Sequence, residues 1–106
     1  MDEFGSTKRR ALHDILVTLL GSGYVYFQPP ASIKMTYPCI TYFLDTINTS
    51  YADSIKYKNK TRYTVTIIDK NPESEIPNSL MNLEYCSFDR HFVADNLHHF
   101  TFILYY

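Results

Sequence analysis

Tryptophan is absent from this chain of 106 residues, glycine occurs three times and cysteine twice. So few glycines leave little material for phosphate-cradling loops, and neither G-x-x-x-x-G-K-[ST] nor G-x-G-x-x-G occurs. The one serine between glycines, in Gly21-Ser22-Gly23, follows an apolar helical stretch. It reads as a helix end and turn rather than as a strained nucleophile elbow. Cys39 and Cys86 are far apart and belong to no C-x-x-C spacing, so buried free thiols are expected rather than a zinc site. His98 and His99 are adjacent on an expected strand, where neighbouring side chains point to opposite faces and cannot easily share one ion. His13, beside Asp14, reads as a surface residue of a helix. No catalytic residue, metal ligand or cofactor is expected, and the chain reads as a non-enzyme.

Charge of either sign is also not in excess. Ten Lys and Arg against eleven Asp and Glu give a formal net charge of −1, so no global field draws the chain to nucleic acid or anionic lipid. The longest apolar run, Ile15 to Leu20, is interrupted by Thr18 and falls far short of the roughly 20 residues of a membrane-spanning helix. The first residues lack the basic and apolar regions of a signal peptide, which makes a reducing cytoplasm the expected setting.

Aromatic residues are abundant instead: ten Tyr and seven Phe. Such side chains suit a pleated, half-buried surface, and Tyr also suits interfaces because its ring packs while its hydroxyl finds a partner. Leu12, Ile15, Leu16, Leu19 and Leu20 fall on one face of a helix that Ser6 or Thr7 can cap and Gly21 and Gly23 stop. Tyr24 to Gln28 reads as a short strand ended by Pro29-Pro30. Strands are expected over Cys39 to Ile47 and Lys60 to Asp69, paired as a hairpin whose long polar connection, Asn48 to Asn59, forms an arm. Ser74 to Leu83 resembles a short helix with Pro77 in its first turn. Tyr85 to Ala94 and Phe100 to Tyr106 complete a last hairpin around Asp95-Asn96. The expected fold is one α+β domain over residues 1–106, with residues 1–6 a flexible N-terminus. Its N-terminal helix packs on a mainly antiparallel sheet that carries a long hairpin arm and a second short helix.

Two basic features stand out. Lys56, Lys58, Lys60 and Arg62 recur at every second position, which on a strand sets four cations on one side. That pattern either guards an edge or faces a polyanion. Lys8-Arg9-Arg10 sits near a helix N-terminus, where the macrodipole disfavours cations, and reads as a solvated turn, with a contact for an acidic partner or phosphate as the alternative.

Five segments occurring in order carry a resemblance: Tyr26-Phe27-Gln28-Pro29-Pro30, Met35-Thr36-Tyr37-Pro38-Cys39-Ile40, Tyr51-Ala52-Asp53, Arg62-Tyr63-Thr64-Val65-Thr66, and Phe88-Asp89-Arg90 followed by Ala94-Asp95-Asn96-Leu97. From about Leu12 onward the chain resembles the tail terminator, or tail completion, proteins of tailed bacteriophages. The resemblance implies a structural virion subunit of the head–tail neck, assembled in the host cytoplasm. It further implies a homohexameric ring at the head-proximal end of the tail tube, which ends tube growth and joins the head connector or stopper protein while genomic DNA crosses its channel. The residues expected at the oligomer interface are Tyr24, Tyr26, Phe27, Tyr51, Ile55 and Tyr57, and the basic stripe is the candidate channel lining. Another ring-forming neck protein, or a small cytoplasmic adaptor, is the alternative.

Overall fold

The computed structural model of the chain describes residues 6–46 and 61–106. Helix α1 (Ser6–Leu20) buries Leu12 and Leu16 completely, the face its apolar spacing dictates. It stops at Gly21, whose φ of +85° is left-handed backbone that glycine adopts without steric cost. Five strands form one sheet: β1 (Val25–Phe27), β2 (Cys39–Thr46), β3 (Arg62–Asp69), β4 (Cys86–Ala94) and β5 (Leu97–Tyr105), in the spatial order β1-β2-β3-β5-β4. Helix α2 (Ile76–Met81) lies between β3 and β4 in the chain. The α+β class, the N-terminal helix, the predominantly antiparallel sheet and the second short helix match the expectation from sequence. The connection between β2 and β3, read there as an arm, lies outside the described residues.

Local chemistry accounts for the joints. β1 runs parallel to β2, pairing Val25 with Ile40 and Phe27 with Tyr42. Gln28, at φ 46°, turns the chain out of the strand. Its amide donates to the Tyr42 carbonyl (2.9 Å), and its Oε1 accepts from the Leu44 amide (3.0 Å). The entry to α2 is a relay of side-chain acceptors. Asp69 takes the Asn71 amide (3.1 Å), Asn71 takes the Glu73 amide (2.9 Å), and Ser74 takes the Ile76 amide (3.2 Å). Pro77 stands in the first turn of α2, where no amide donor is missed.

The last hairpin is tighter than the sequence suggested. β5 begins at Leu97, not Phe100, because Asp95 and Asn96 both take left-handed conformations (φ 55° and 64°) and close a two-residue turn between Ala94 and Leu97. The turn brings His98 and His99 into the ladder.

The helices cover one face. Val25, Ile40, Tyr42, Tyr63, Val65, Ile67, Phe102 and Leu104 form one core with Leu12, Leu16 and Leu80. Phe100, Phe102 and Leu104 do share a side of the last strand, as their alternation predicts. The opposite face, among the described residues, carries no helix. Phe102 is 1% exposed and meets the Phe88 ring edge-on at 5.4 Å. Phe102→Ala should therefore cost about 3–5 kcal/mol in urea unfolding, through lost burial plus the cavity left behind. Phe88→Ala, at a ring that is 50% exposed, should cost under about half of that.

Candidate functional site

Three surfaces hold the chemistry of the described residues. The first lies where α1 meets the sheet. Burial of the Tyr42 ring removes its hydroxyl from water, and a buried hydroxyl without partners is costly. Two residues one helical turn apart meet that need: the Arg9 guanidinium donates to Tyr42 Oη at 3.4 Å, and His13 Nδ1 lies 2.7 Å from it. Arg9 also stacks over Phe27, 4.6 Å from the ring centroid, and Phe27 packs on Tyr42 at 4.9 Å. Burial lowers the His13 pKa, Arg9 lowers it further, and Asp14 opposes them in part. With His13 neutral and protonated on Nε2, the Tyr42 hydroxyl donates a hydrogen bond to Nδ1. Burial also raises the Tyr42 pKa, so the phenol keeps its proton.

His13 is thus no plain surface residue, and Arg9 is no solvated turn, contrary to the reading of the sequence. Spacing alone could have hinted at it, since Arg9 and His13 flank the buried positions Leu12 and Leu16 on the helix.

The second surface is the uncovered sheet face. Register places Tyr26, Thr41, Thr66, Thr101 and Arg90 in one row across all five strands, with Phe43, Thr64 and Ile103 in the row beside it. The loop before β2 reaches this face: the Thr36 amide donates to Tyr26 Oη at 3.4 Å.

The third is β4, the outer strand on the β5 side. Its pairing with β5 shifts register between Phe88 and Arg90, so Phe88 stands opposite Phe102 and His91 opposite Phe100, both on the helix side. His91 Nε2 and His98 Nδ1 are 3.0 Å apart with rings stacked at 14°, while His99 stacks on Phe92 at 4.7 Å. His98 and His99 take separate partners on opposite faces. The pairing of His91 with His98 was not foreseen, because it depends on the two-residue turn and the register shift. Among the described residues no group of three or more His, Cys, Asp or Glu is placed to hold a metal ion, and no described helix is long and apolar enough to cross a membrane. An open, mainly apolar cleft of about 230 Å³ lies beside α1, lined by Leu12, Ile15, Leu83, Tyr85 and Tyr106 among others.

Of the residues expected at an interface, Tyr24 is exposed just before β1, and Tyr26 is half-buried on the uncovered face. Phe27 points the other way, against Tyr42 beneath Arg9. Tyr51, Ile55, Tyr57, Lys56, Lys58 and Lys60 lie outside the described residues. Arg62 opens β3 opposite Tyr105 and is half-buried. Cys39 is fully buried on β2 and Cys86 half-buried on β4.

Comparison with protein families, with curated proteins and with solved structures returns no match in any of the three.

Two measurements check these surfaces. A His whose folded pKa lies below its unfolded value contributes stability that is fully present above the unfolded pKa, and that contribution declines as pH falls from about 6.5 toward the folded value. The native chain should therefore lose more stability on acidification below about pH 6.5 than His13→Gln does, read from urea midpoints at each pH. Burial lifts both thiols from 9.0 to about 11, with Asp69 adding to the effect at Cys39. At a pH near 8 the native thiols should react with iodoacetamide on the order of a hundredfold more slowly than in urea.

Proposed function

We propose that this chain is a structural subunit of a tailed-phage neck. It forms a ring, hexameric by the resemblance, at the head-proximal end of the tail tube, where it ends tube growth and receives the head connector. Genomic DNA passes through the channel without sequence readout. One observation carries the reading: four of the five segments that bear the resemblance each bring a residue to the uncovered face of the sheet, the fifth, Tyr51-Ala52-Asp53, lying outside the described residues. Tyr26, Thr66 and Arg90 stand in a single cross-strand row there, and Thr36 is hydrogen-bonded to Tyr26. Among the described residues the helices lie on one side of the sheet only, which leaves the other side for assembly. A cyclic ring needs two unlike patches on each copy, and this row and the exposed Tyr24 supply one of them.

The basic stripe Lys56, Lys58, Lys60 and Arg62 is proposed to line the channel. Contacts to a phosphate backbone there position DNA without reading its sequence. Purified chain, examined by native mass spectrometry and negative-stain microscopy, should give closed six-membered rings, alone or with tail tube protein. Replacing the four basic residues together with Gln should leave the rings intact, alter DNA retention and flatten the salt dependence of DNA binding. A chain that forms no ring with or without tube protein, and is missing from purified virions, would exclude the proposal and favour the adaptor.

A further inference from the structure

The two edges of the sheet are unlike. β1 is three residues long and is followed closely by Pro29-Pro30, which is a blunt edge. β4 is nine residues long, and every residue from Ser87 to Val93 is exposed. It has neither Lys nor Pro, and it displays Phe88, Phe92 and Val93, the last 55% exposed. Among the described residues its ladder partner is β5 on one side only, which leaves the backbone groups of the other side to a further strand.

The order of residues in β4 selects what that strand is. Because register shifts between Phe88 and Arg90, Phe88 and His91 share the helix side, as do Cys86 and Val93, while Ser87 and Phe92 lie on the uncovered side. An antiparallel copy of β4 in the register that opposes Asp89 and Arg90 also opposes Phe88 to His91, Ser87 to Phe92 and Cys86 to Val93. Each of these pairs then lies on one common face, as an antiparallel ladder requires. Without the shift, that register would set opposite faces against each other.

Charge makes the same choice. Asp89 and Arg90 are in loose contact within one chain (3.9 Å), with side chains 44% and 72% exposed, a pair that contributes little by itself. In the proposed register each carboxylate faces the other copy's guanidinium, twice about a two-fold axis. A slip by one step puts Asp89 against Asp89, or Arg90 against Arg90, and mismatches the faces as well. We infer that two copies of this chain pair antiparallel through β4, with Asp89 of each copy opposite Arg90 of the other. This contact is isologous, whereas a cyclic ring is built from heterologous contacts, so it stands apart from the ring reading.

Sedimentation velocity on the full chain tests it. Where it is not closed into rings, the native chain should pass from monomer to dimer below about 100 µM. Asp89→Arg and Arg90→Asp, made singly, should each weaken the dimer at least about tenfold, since each sets like charges face to face across the axis. An equimolar mixture of the two variants should recover the dimer, as should both substitutions in one chain. Should the doubly substituted chain lose its native circular dichroism, the mixture gives the same reading. The pairing is overturned if the native chain stays monomeric at that concentration, if the single reversals change nothing, or if neither mixture nor double swap recovers association. A chain that sediments only as hexameric rings, with no further pairing and no change on any of these substitutions, would also overturn it while agreeing with the ring. A dimer that obeys the charge swap in a chain that never forms rings would uphold the pairing and count against the ring.

Discussion

Burying a tyrosine ring in an apolar core takes its hydroxyl out of water, and the hydroxyl then has to be matched from inside the protein. In this chain that demand falls at Tyr42, on the second strand of the sheet, and α1 answers it with Arg9 and His13. Leucine burial by α1 is tolerant of small rotations, because apolar packing is largely non-directional. Two hydrogen bonds to one oxygen are not tolerant in that way. They set the helix at one position along the sheet, with the Arg9 guanidinium held over Phe27 and the Tyr63 ring edge-on to Tyr42 at 5.9 Å. Loss of the anchor would leave the leucines their burial and remove the reason for one orientation over another.

With both helices committed to one face, the other face and one edge are what the fold offers to its surroundings. The uncovered face is neither a bare apolar patch nor a solvated polar surface. Thr41 and Thr101 are nearly buried within it, flanked by Tyr26 and Arg90 in the same row. Mixed rows of this kind, with few charges at the centre and aromatic and arginine residues at the flanks, share the composition of protein interfaces. The edge at β4 differs again, since its information lies in the order of its residues rather than in its bulk apolarity. A surface so divided suits the subunit proposed above, which would meet several neighbours at once.

Much of this was legible from sequence. Five apolar positions at helical spacing, alternation in Arg62 to Asp69, and the punctuation by Gly21, Pro29-Pro30 and Asp95-Asn96 placed the elements to within a few residues. The start of β5 was placed late, at Phe100, because the ladder begins at Leu97 only when Asp95 and Asn96 both take left-handed backbone and close the turn alone. The parallel course of β1 was not legible. Its pairing partner follows from Gln28 and the loop that returns the chain to the start of β2, and nothing local to Val25–Phe27 encodes direction. The polar cluster was missed for a related reason: Arg9 and His13 are ordinary surface residue types, and only the position of Tyr42 opposite them changes their role.

Sequence by itself determined the α+β class, the buried face of α1, the strand-forming segments and the absence of glycine-rich phosphate loops, because each rests on local propensity or on periodicity along one element. Tertiary structure alone decided that β1 joins β2 in parallel and that β3 joins β5, so that the order is β1-β2-β3-β5-β4 with β4 at one end. It also decided that His91 meets His98, and that Asp89 and Arg90 occupy the step where register shifts. Those outcomes depend on pairings between segments distant in the chain, and a shift of one residue in any of them turns every later side chain to the opposite face.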